Sequence, residues 1–385
     1  MHSHNDVMQL HNDRLILPGF VCAHTHLYSS LARGMPAPAN APSNFLQILE
    51  RVWWRLDRAL DAETVELSAL VGAIEAARAG CTTLIDHHAS PGRHGVAVDG
   101  ALDLVAGAIA RVGLRGVVAY EVTDRNGAAE ARAGVRENDR FLGRIGAEPP
   151  RLIRGLVGAH AAFTLSNATA EAIAEVARRH RVGVHIHVAE DGCDARKDGD
   201  STVAWLQARG LLDARSLLVH AVHVDDADLG RIAAAGAHVV HNARSNANNA
   251  VGYARPGRFG ARLLLGTDGI DADMRAEAQA AFFAAREHGD TLDVPAALAR
   301  NQRYAAALFG VESLGDTITL AYRSPTPLDR HNFGGHLLFG LRGAPVVDME
   351  VDGRAVLRDG VCVNVDEERI YARAREAAAR LWSRL

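Results

Sequence analysis

Lysine is almost missing from this sequence. Lys197 is the single lysine, and the other 41 cationic side chains are arginine, a skew that reads as coding composition. Cysteine is scarce as well. Cys22, Cys81, Cys193 and Cys362 form no CxxC pair in 385 residues, which excludes a disulfide framework and a structural zinc knot and leaves reduced thiols. No run of 18 apolar residues occurs, so no membrane span is expected. The opening MHSHNDVMQLHND has neither the basic n-region nor the apolar h-region of a signal peptide, and a cytoplasmic protein is expected. Net charge is −4 with no basic stripe, which argues against nucleic acid as a partner. The expected partner is a small molecule, and a homodimer is compatible with the chain.

What is present is an ordinary globular mix, 48% hydrophobic and 23% charged, which excludes a disordered or fibrous chain. Short apolar runs alternate with Ala-rich amphipathic runs, the pattern of parallel strands joined by helices. Eight strand candidates lie at 15–24, 81–88, 114–123, 153–161, 182–189, 216–223, 238–243 and 262–268. Helices are expected at 62–79 (with Asp61 as N-cap and Gly80 as stop), 97–112, 127–145, 170–181, 201–211, 226–235, 275–288 and 294–309, and a loop at 244–260. This order predicts an α/β fold, a (β/α)8 TIM barrel. The long insertion 27–60 opens with Pro36, Pro38 and Pro42 and carries Trp53 and Trp54; it is read as a lid or, equally, as a packed helix or subunit contact. Past the barrel, ITLAY, HLLFGL, VVDMEV, AVLRDG and VCVN read as short β-like runs over about 316–365, and a final helix as 367–385.

Histidine is the unusual abundance, at 19 residues. His24, His26, His87, His88, His160, His185, His187, His220, His223, His238 and His241 fall in or at the ends of the expected strands, where histidine is not a usual filler. Convergence on a barrel mouth points to a metal or catalytic centre. His24 and His26 are two apart and share a face of their strand. His187 ends the fifth strand with Glu190 three residues on, and His185 is expected beneath it as a buried support. His220 and His223 differ by three, so only one can enter the site if the strand stays regular. Asp268 follows LLLGT, and a carboxylate buried there wants a cation or strong donors; capping the next helix is its bland alternative.

Taken together, PGFVCAHTH, HIHVAED, VHAVH, HNARSN and LGTDG resemble the amidohydrolase superfamily over about residues 15–385, most closely its cytosine-deaminase and chlorohydrolase branch. WWRLDRALD, DHHASP, HNARSNANNAVGY and SPTPL resemble the SsnA type of aminohydrolase within it. The resemblance implies one divalent metal ion, zinc first and ferrous iron second, held by His24, His26, His187 and Asp268. It implies Glu190 and His220 as acid–base residues beside Asp268. No carboxylated lysine bridging two metals is expected, since Lys197 lies in a polar loop. Arg244, His160 and His88 are placed to read substrate, with loop anchoring or support as the alternative for each.

The implied reaction is metal-dependent hydrolysis of a non-peptide carbon–nitrogen bond, with ammonia leaving a heterocyclic or amidine-like small molecule. Dehalogenation or cyclic-amide hydrolysis at the same site, and a metal-binding pseudo-enzyme, are the competing readings. The branch carries a longer N-terminal segment that builds half of a small β-sandwich. The expected domains are therefore 1–14 as a remnant of the small β domain, 15–312 as the barrel, and 313–385 as the C-terminal small β domain plus closing helix. The sandwich is expected to be incomplete, with 316–365 poorly ordered or paired with residues 5–17.

Overall fold

The structure is a computed structural model and describes residues 9–91, 98–195 and 199–385. The chain enters through a hairpin, β1 (Gln9–His11) and β2 (Arg14–Pro18), turned at Asn12 and Asp13, both at positive φ. The barrel strands follow in order: β3 (Phe20–Thr25), β4 (Cys81–His88), β5 (Arg115–Tyr120), β6 (Ile153–Gly155), β7 (Val157–Ala161), β8 (Val184–Val188), β9 (Leu217–His220), β10 (His238–His241) and β11 (Leu263–Leu265). All pair in parallel, β3 to β6 in one sheet and β7 to β11 in another. Bridges Thr25–Asp268 and Val122–Ala159 join the two sheets at both seams. With β6 and β7 sharing one position, the result is the expected eight-position barrel.

Alternation along the strands sorts the core. Val21, Ile85, Val117, Leu217, Val219, Val240 and Leu264 form a cluster inside the barrel, while Leu84, Val118, Ile186, Leu218 and Val239 face the surrounding helices. The helix Ala62–Arg78 starts in a capping box, Asp61 with Thr64, and supplies the most buried of these faces.

Four sequence expectations change. The strand expected at 15–24 is two strands in two different sheets, so the boundary after residue 14 falls inside β2. The strand at 153–161 breaks at Leu156. The loop at 244–260 contains a short helix, Ala243–Asn248, and a 3-10 stretch, Pro256–Arg262. Of HLLFGL, the first four residues end a helix, Phe333–Phe339, that packs against the helix Met274–Glu287, and Leu341 begins a 3-10 turn.

The small domain is one antiparallel sheet and not two layers. Its order is β1, β2, β12 (Thr317–Ala321), β13 (Val346–Val351), β14 (Arg354–Arg358) and β15 (Val361–Cys362). β2 pairs with β12 from Pro18–Thr317 to Arg14–Ala321, the pairing expected of the N-terminal residues. Arg115 at the start of β5 holds Asp316 through Nε and Nη2 at 2.8 and 3.0 Å and ties this sheet to the barrel. The last helix, Glu367–Trp382, packs on Ala62–Arg78. No described helix is long and apolar enough to cross a membrane.

Candidate metal centre

The imidazoles converge because the strands depart from regularity where they reach the mouth. Alternation alone would send His24 outward with Cys22. A register shift between Cys22 and Thr25, where β3 has one residue more than β4, turns it inward. β8 needs no such device: His185 and His187 point in, Ile186 and Val188 out. β9 ends at His220, whose φ of 72°, followed by Ala221 at 47°, swings the ring into the site. Asp268 adopts φ 54° just beyond β11. Such positive-φ positions in non-glycine residues cost energy and cluster at functional sites.

The donors now face one another. His26 Nδ1 donates to the His87 carbonyl at 2.6 Å, and His187 Nδ1 donates to the His160 carbonyl at 2.8 Å. Both Nε2 lone pairs are thereby directed to the same point, 3.3 Å apart. His24 Nδ1 meets His185 Nε2 at 2.9 Å, and its Nε2 is buried without a partner. Asp268 Oδ1 lies 3.0 Å from His26 Nε2 and 3.4 Å from His24 Nε2. Three imidazole nitrogens and a carboxylate oxygen crowd here, within reach of one shared cation. The carboxylate governs the protons here. Burial opposes charge on His26, yet Asp268 raises it to about 9; burial, with His26 nearby, lowers His24 to about 3. Burial would raise Asp268, but its hydrogen bonds with His24 and His26 hold it well below the carboxylate range. The donor set fits a divalent cation of N/O preference.

Glu190 and His220 stand beside this cluster. Glu190 Oε2 is 3.4 Å from His220 Nε2, and Asn249 Nδ2 approaches Oε1 at 3.5 Å. Burial, then the charges of Asp268 and Asp194, push Glu190 well above its usual range. His220 Nδ1 donates to Asn246 Oδ1 at 2.8 Å, leaving Nε2 toward Glu190 and, at 3.8 Å, Asp268. Ser245 Oγ donates to Asp268 Oδ2. His223 is exposed and turned away, its Nε2 donating to the Val251 carbonyl. It is thus the turn after β9, and not strand alternation, that chooses His220.

A cavity of about 280 Å³ opens on His26, His187, Glu190 and Asp268. The insertion 27–60 walls it. Its 3-10 turn Leu27–Ala32 brings Tyr28, and a helical stretch with a π-helical turn, Leu49–Trp53, brings Phe45, Leu49, Trp53 and Trp54. His160 also lines the cavity, with Nδ1 against Thr164 Oγ1. Two expected substrate contacts do not. Arg244 is held by Asp271 and Glu277 and anchors the loop after β10. His88 points outward, hydrogen-bonded to Ser90, because adjacent strand residues face opposite ways; its neighbour His87 is the inward one, stacked 4.3 Å from His185. Glu121 and Arg125 line the cavity and were not singled out from sequence. Glu121 directly follows β5 at the C-terminal mouth, a position where such barrels keep functional residues, and that placement was the available signal. Lys197 lies outside the described residues.

Residues 15–310 match the family model described as Amidohydrolase family. A 5-methylthioadenosine/S-adenosylhomocysteine deaminase of Symbiobacterium thermophilum is 30% identical, over 96% of this chain and 87% of that protein. A 5'-deoxyadenosine deaminase of Methanothermobacter thermautotrophicus is 28% identical over 96% and 88%. Among solved structures, an adenosine deaminase of Xanthomonas campestris with bound zinc superposes with a TM-score of 0.80 at 22% identity, covering 96% of this chain and 87% of that one. Zinc-bound atrazine chlorohydrolase TrzN of Arthrobacter aurescens gives 0.76 at 21% identity, with 95% and 88% covered.

Proposed function

The chain belongs to the amidohydrolase family and is a hydrolase of non-peptide carbon–nitrogen bonds, and from that premise we propose that it removes ammonia from an aminated heterocycle with the help of one zinc ion. The observation that carries this is the convergence of His24, His26, His187 and Asp268 at the barrel mouth, facing a cavity that also holds Glu190. These four residues would hold the cation; ferrous iron suits the same donors. When bound, the cation supplies Lewis-acid chemistry and lowers the pKa of a coordinated water toward about 7.

The rest of the chemistry belongs to this chain's own groups. Asp268, kept ionised, takes a proton at Oδ2, where Ser245 already aims its hydroxyl. His220, neutral and with Nε2 free, orients the attacking water and steadies the charge that forms. Glu190, pushed up by burial, gives its proton to the ring nitrogen beside the amino carbon as the tetrahedral centre forms; the proton that Asp268 took from the water then passes to the amino group, which leaves as ammonia while the hydroxyl of the centre returns a proton to Glu190. His160 contacts the ring from the wall of the cavity. Names of the relatives, deaminases of adenosine derivatives, support the reaction class. The resemblance to the SsnA type and a cytoplasmic setting remain expectations of the same reading.

The test is ammonia release from a panel of aminated purines, pyrimidines, pterins and triazines, with metal analysis on the same preparation. One cation per chain and ammonia from one ring class are expected. Full metal loading with chloride or ring-opened product and no ammonia would reassign the reaction to dehalogenation or cyclic-amide hydrolysis. Full loading with no product would make the chain a metal-binding pseudo-enzyme.

A further inference from the structure

The stretch HNARSNANNAVGY carries Ser245 and Asn249 one helical turn apart, with the Asn249 backbone N–H donating to the Ser245 carbonyl. Both are buried and line the cavity together with Glu190 and Asp268. The protons between these four side chains can be assigned in turn. Ser245 Oγ donates its single hydrogen to Asp268 Oδ2. That leaves the serine oxygen with lone pairs only, so Asn249 Nδ2, 3.4 Å away, faces it with an N–H. The second hydrogen of the same amide goes to Glu190 Oε1 at 3.5 Å. Asn249 Oδ1, at the other end, accepts from Asn248 Nδ2 at 3.1 Å, which agrees with this orientation.

The second oxygen of Glu190 meets the opposite kind of group. His220 Nδ1 donates to Asn246 Oδ1 at 2.8 Å, a shorter contact than the 3.4 Å to Asn242 Nδ2, so His220 Nε2 carries a lone pair. That nitrogen lies 3.4 Å from Glu190 Oε2. One oxygen of the acid thus faces a donor and the other an acceptor. We infer that Asn249 is a positioning residue for Glu190: its amide makes Oε1 the accepting oxygen, so the proton sits on Oε2 and leaves from there. Through Ser245 the same amide is tied to Asp268, so the groups that give and take protons are registered by one side chain. This rests on the deaminase reading above and deepens it.

The test is infrared spectroscopy of the zinc-loaded full chain without substrate. Subtracting the Glu190→Gln spectrum from wild type isolates the C=O stretch of the Glu190 carboxyl group, which a hydrogen bond to Oε1 holds down. In Asn249→Leu, which keeps the bulk and drops both N–H groups, that band should move to higher wavenumber while zinc content stays at the wild-type value. Asn249→Val is measured beside it, in case leucine does not pack, and each variant carries its own Glu190→Gln subtraction. A residue that only filled space would lower Tm and leave the band in place. No carboxyl band in wild type, or a band that stays or falls in the folded variants, overturns the inference. Ammonia release from the ring that the panel identifies is scored separately. Asn249→Leu should lower kcat by about 3- to 10-fold, the worth of one neutral hydrogen bond, and cost little further in the Glu190→Gln background. The same loss in both backgrounds would also overturn the inference. A band shift with no ammonia from any ring sinks the deaminase reading and leaves the placement standing; ammonia with an unmoved band does the reverse.

Discussion

At the scale of single residues, proton inventory separates roles that distance alone does not. Glu190 and Asp268 are both buried carboxylates, yet burial with two neighbouring acids keeps one protonated, while two imidazoles keep the other ionised. Glu190→Gln should therefore lower kcat by about 10²- to 10⁴-fold, the usual worth of acid–base help. Its metal content should stay near wild type, because Glu190 is not among the proposed ligands. Asp268→Asn should lower both turnover and metal retention, since asparagine neither takes the proton nor offers a charged donor; elemental analysis after dialysis separates the two variants. A Glu190→Gln protein that loses its metal would overturn the division. The four proposed ligands were legible because HxH after an apolar strand and Asp after LLLGT are local patterns. His88, expected as a substrate contact or a support, lies outside the cavity lining, since the sequence shows a pair of histidines while the strand's phase decides which of them enters the barrel.

At the scale of elements, the site depends on irregularities that a sequence pattern cannot announce. Period-two alternation places His187 correctly but would turn His24 and His220 outward; a register shift in β3 and a left-handed turn after β9 reverse both. Those are tertiary outcomes, set by how strands of unequal length close a ring. The seam between β5 and β7 shows how little slack the ring has. A Cβ built on Gly158 would lie 2.3 Å from the Tyr120 carbonyl oxygen and 2.5 Å from its carbon, backbone atoms of a paired strand that cannot swing aside. Gly158→Ala should cost about 3 kcal/mol or more, at the upper end of ordinary overpacking, and chemical denaturation would measure it. It should also disturb His160, two residues on, so any folded fraction should bind substrate poorly. A stable, fully active variant would mean the two strands can part without harm. The insertion 27–60 is the converse case. Its tryptophans were legible as something unusual, and both lie on the cavity wall.

For the molecule as a whole, barrel and small sheet share one apolar core and a buried charge pair, while the proposed centre takes its donors from the barrel alone. Acid should unsettle the barrel first. His241 is buried with both ring nitrogens unpaired, and burial lowers it to about 4. A depressed histidine contributes stability that is complete above its unfolded value near 6.5 and is lost as pH falls toward 4. His241→Leu should flatten the fall of unfolding free energy across that window by up to about 1.4 kcal/mol per pH unit. The tie between the two parts is Arg115, whose side chain is 6% exposed, with Asp316 at 1%. Arg115→Met would leave Asp316 buried without its cation. Truncating one partner of a buried pair costs about 3–5 kcal/mol, whereas replacing both partners by apolar groups is often close to neutral. Arg115→Met should therefore lower Tm markedly, and R115M/D316L should recover much of the loss. Metal content per folded chain should stay unchanged in both, because β12 and its neighbours supply none of the proposed ligands. The sequence could not show this tie: Arg115 and Asp316 are 201 positions apart, and nothing local marks either as a partner. Metal loss that tracks the Tm of Arg115→Met at temperatures where the barrel is still folded would show that the sheet helps hold the mouth in shape, and the two parts would then have to be treated as one cooperative unit.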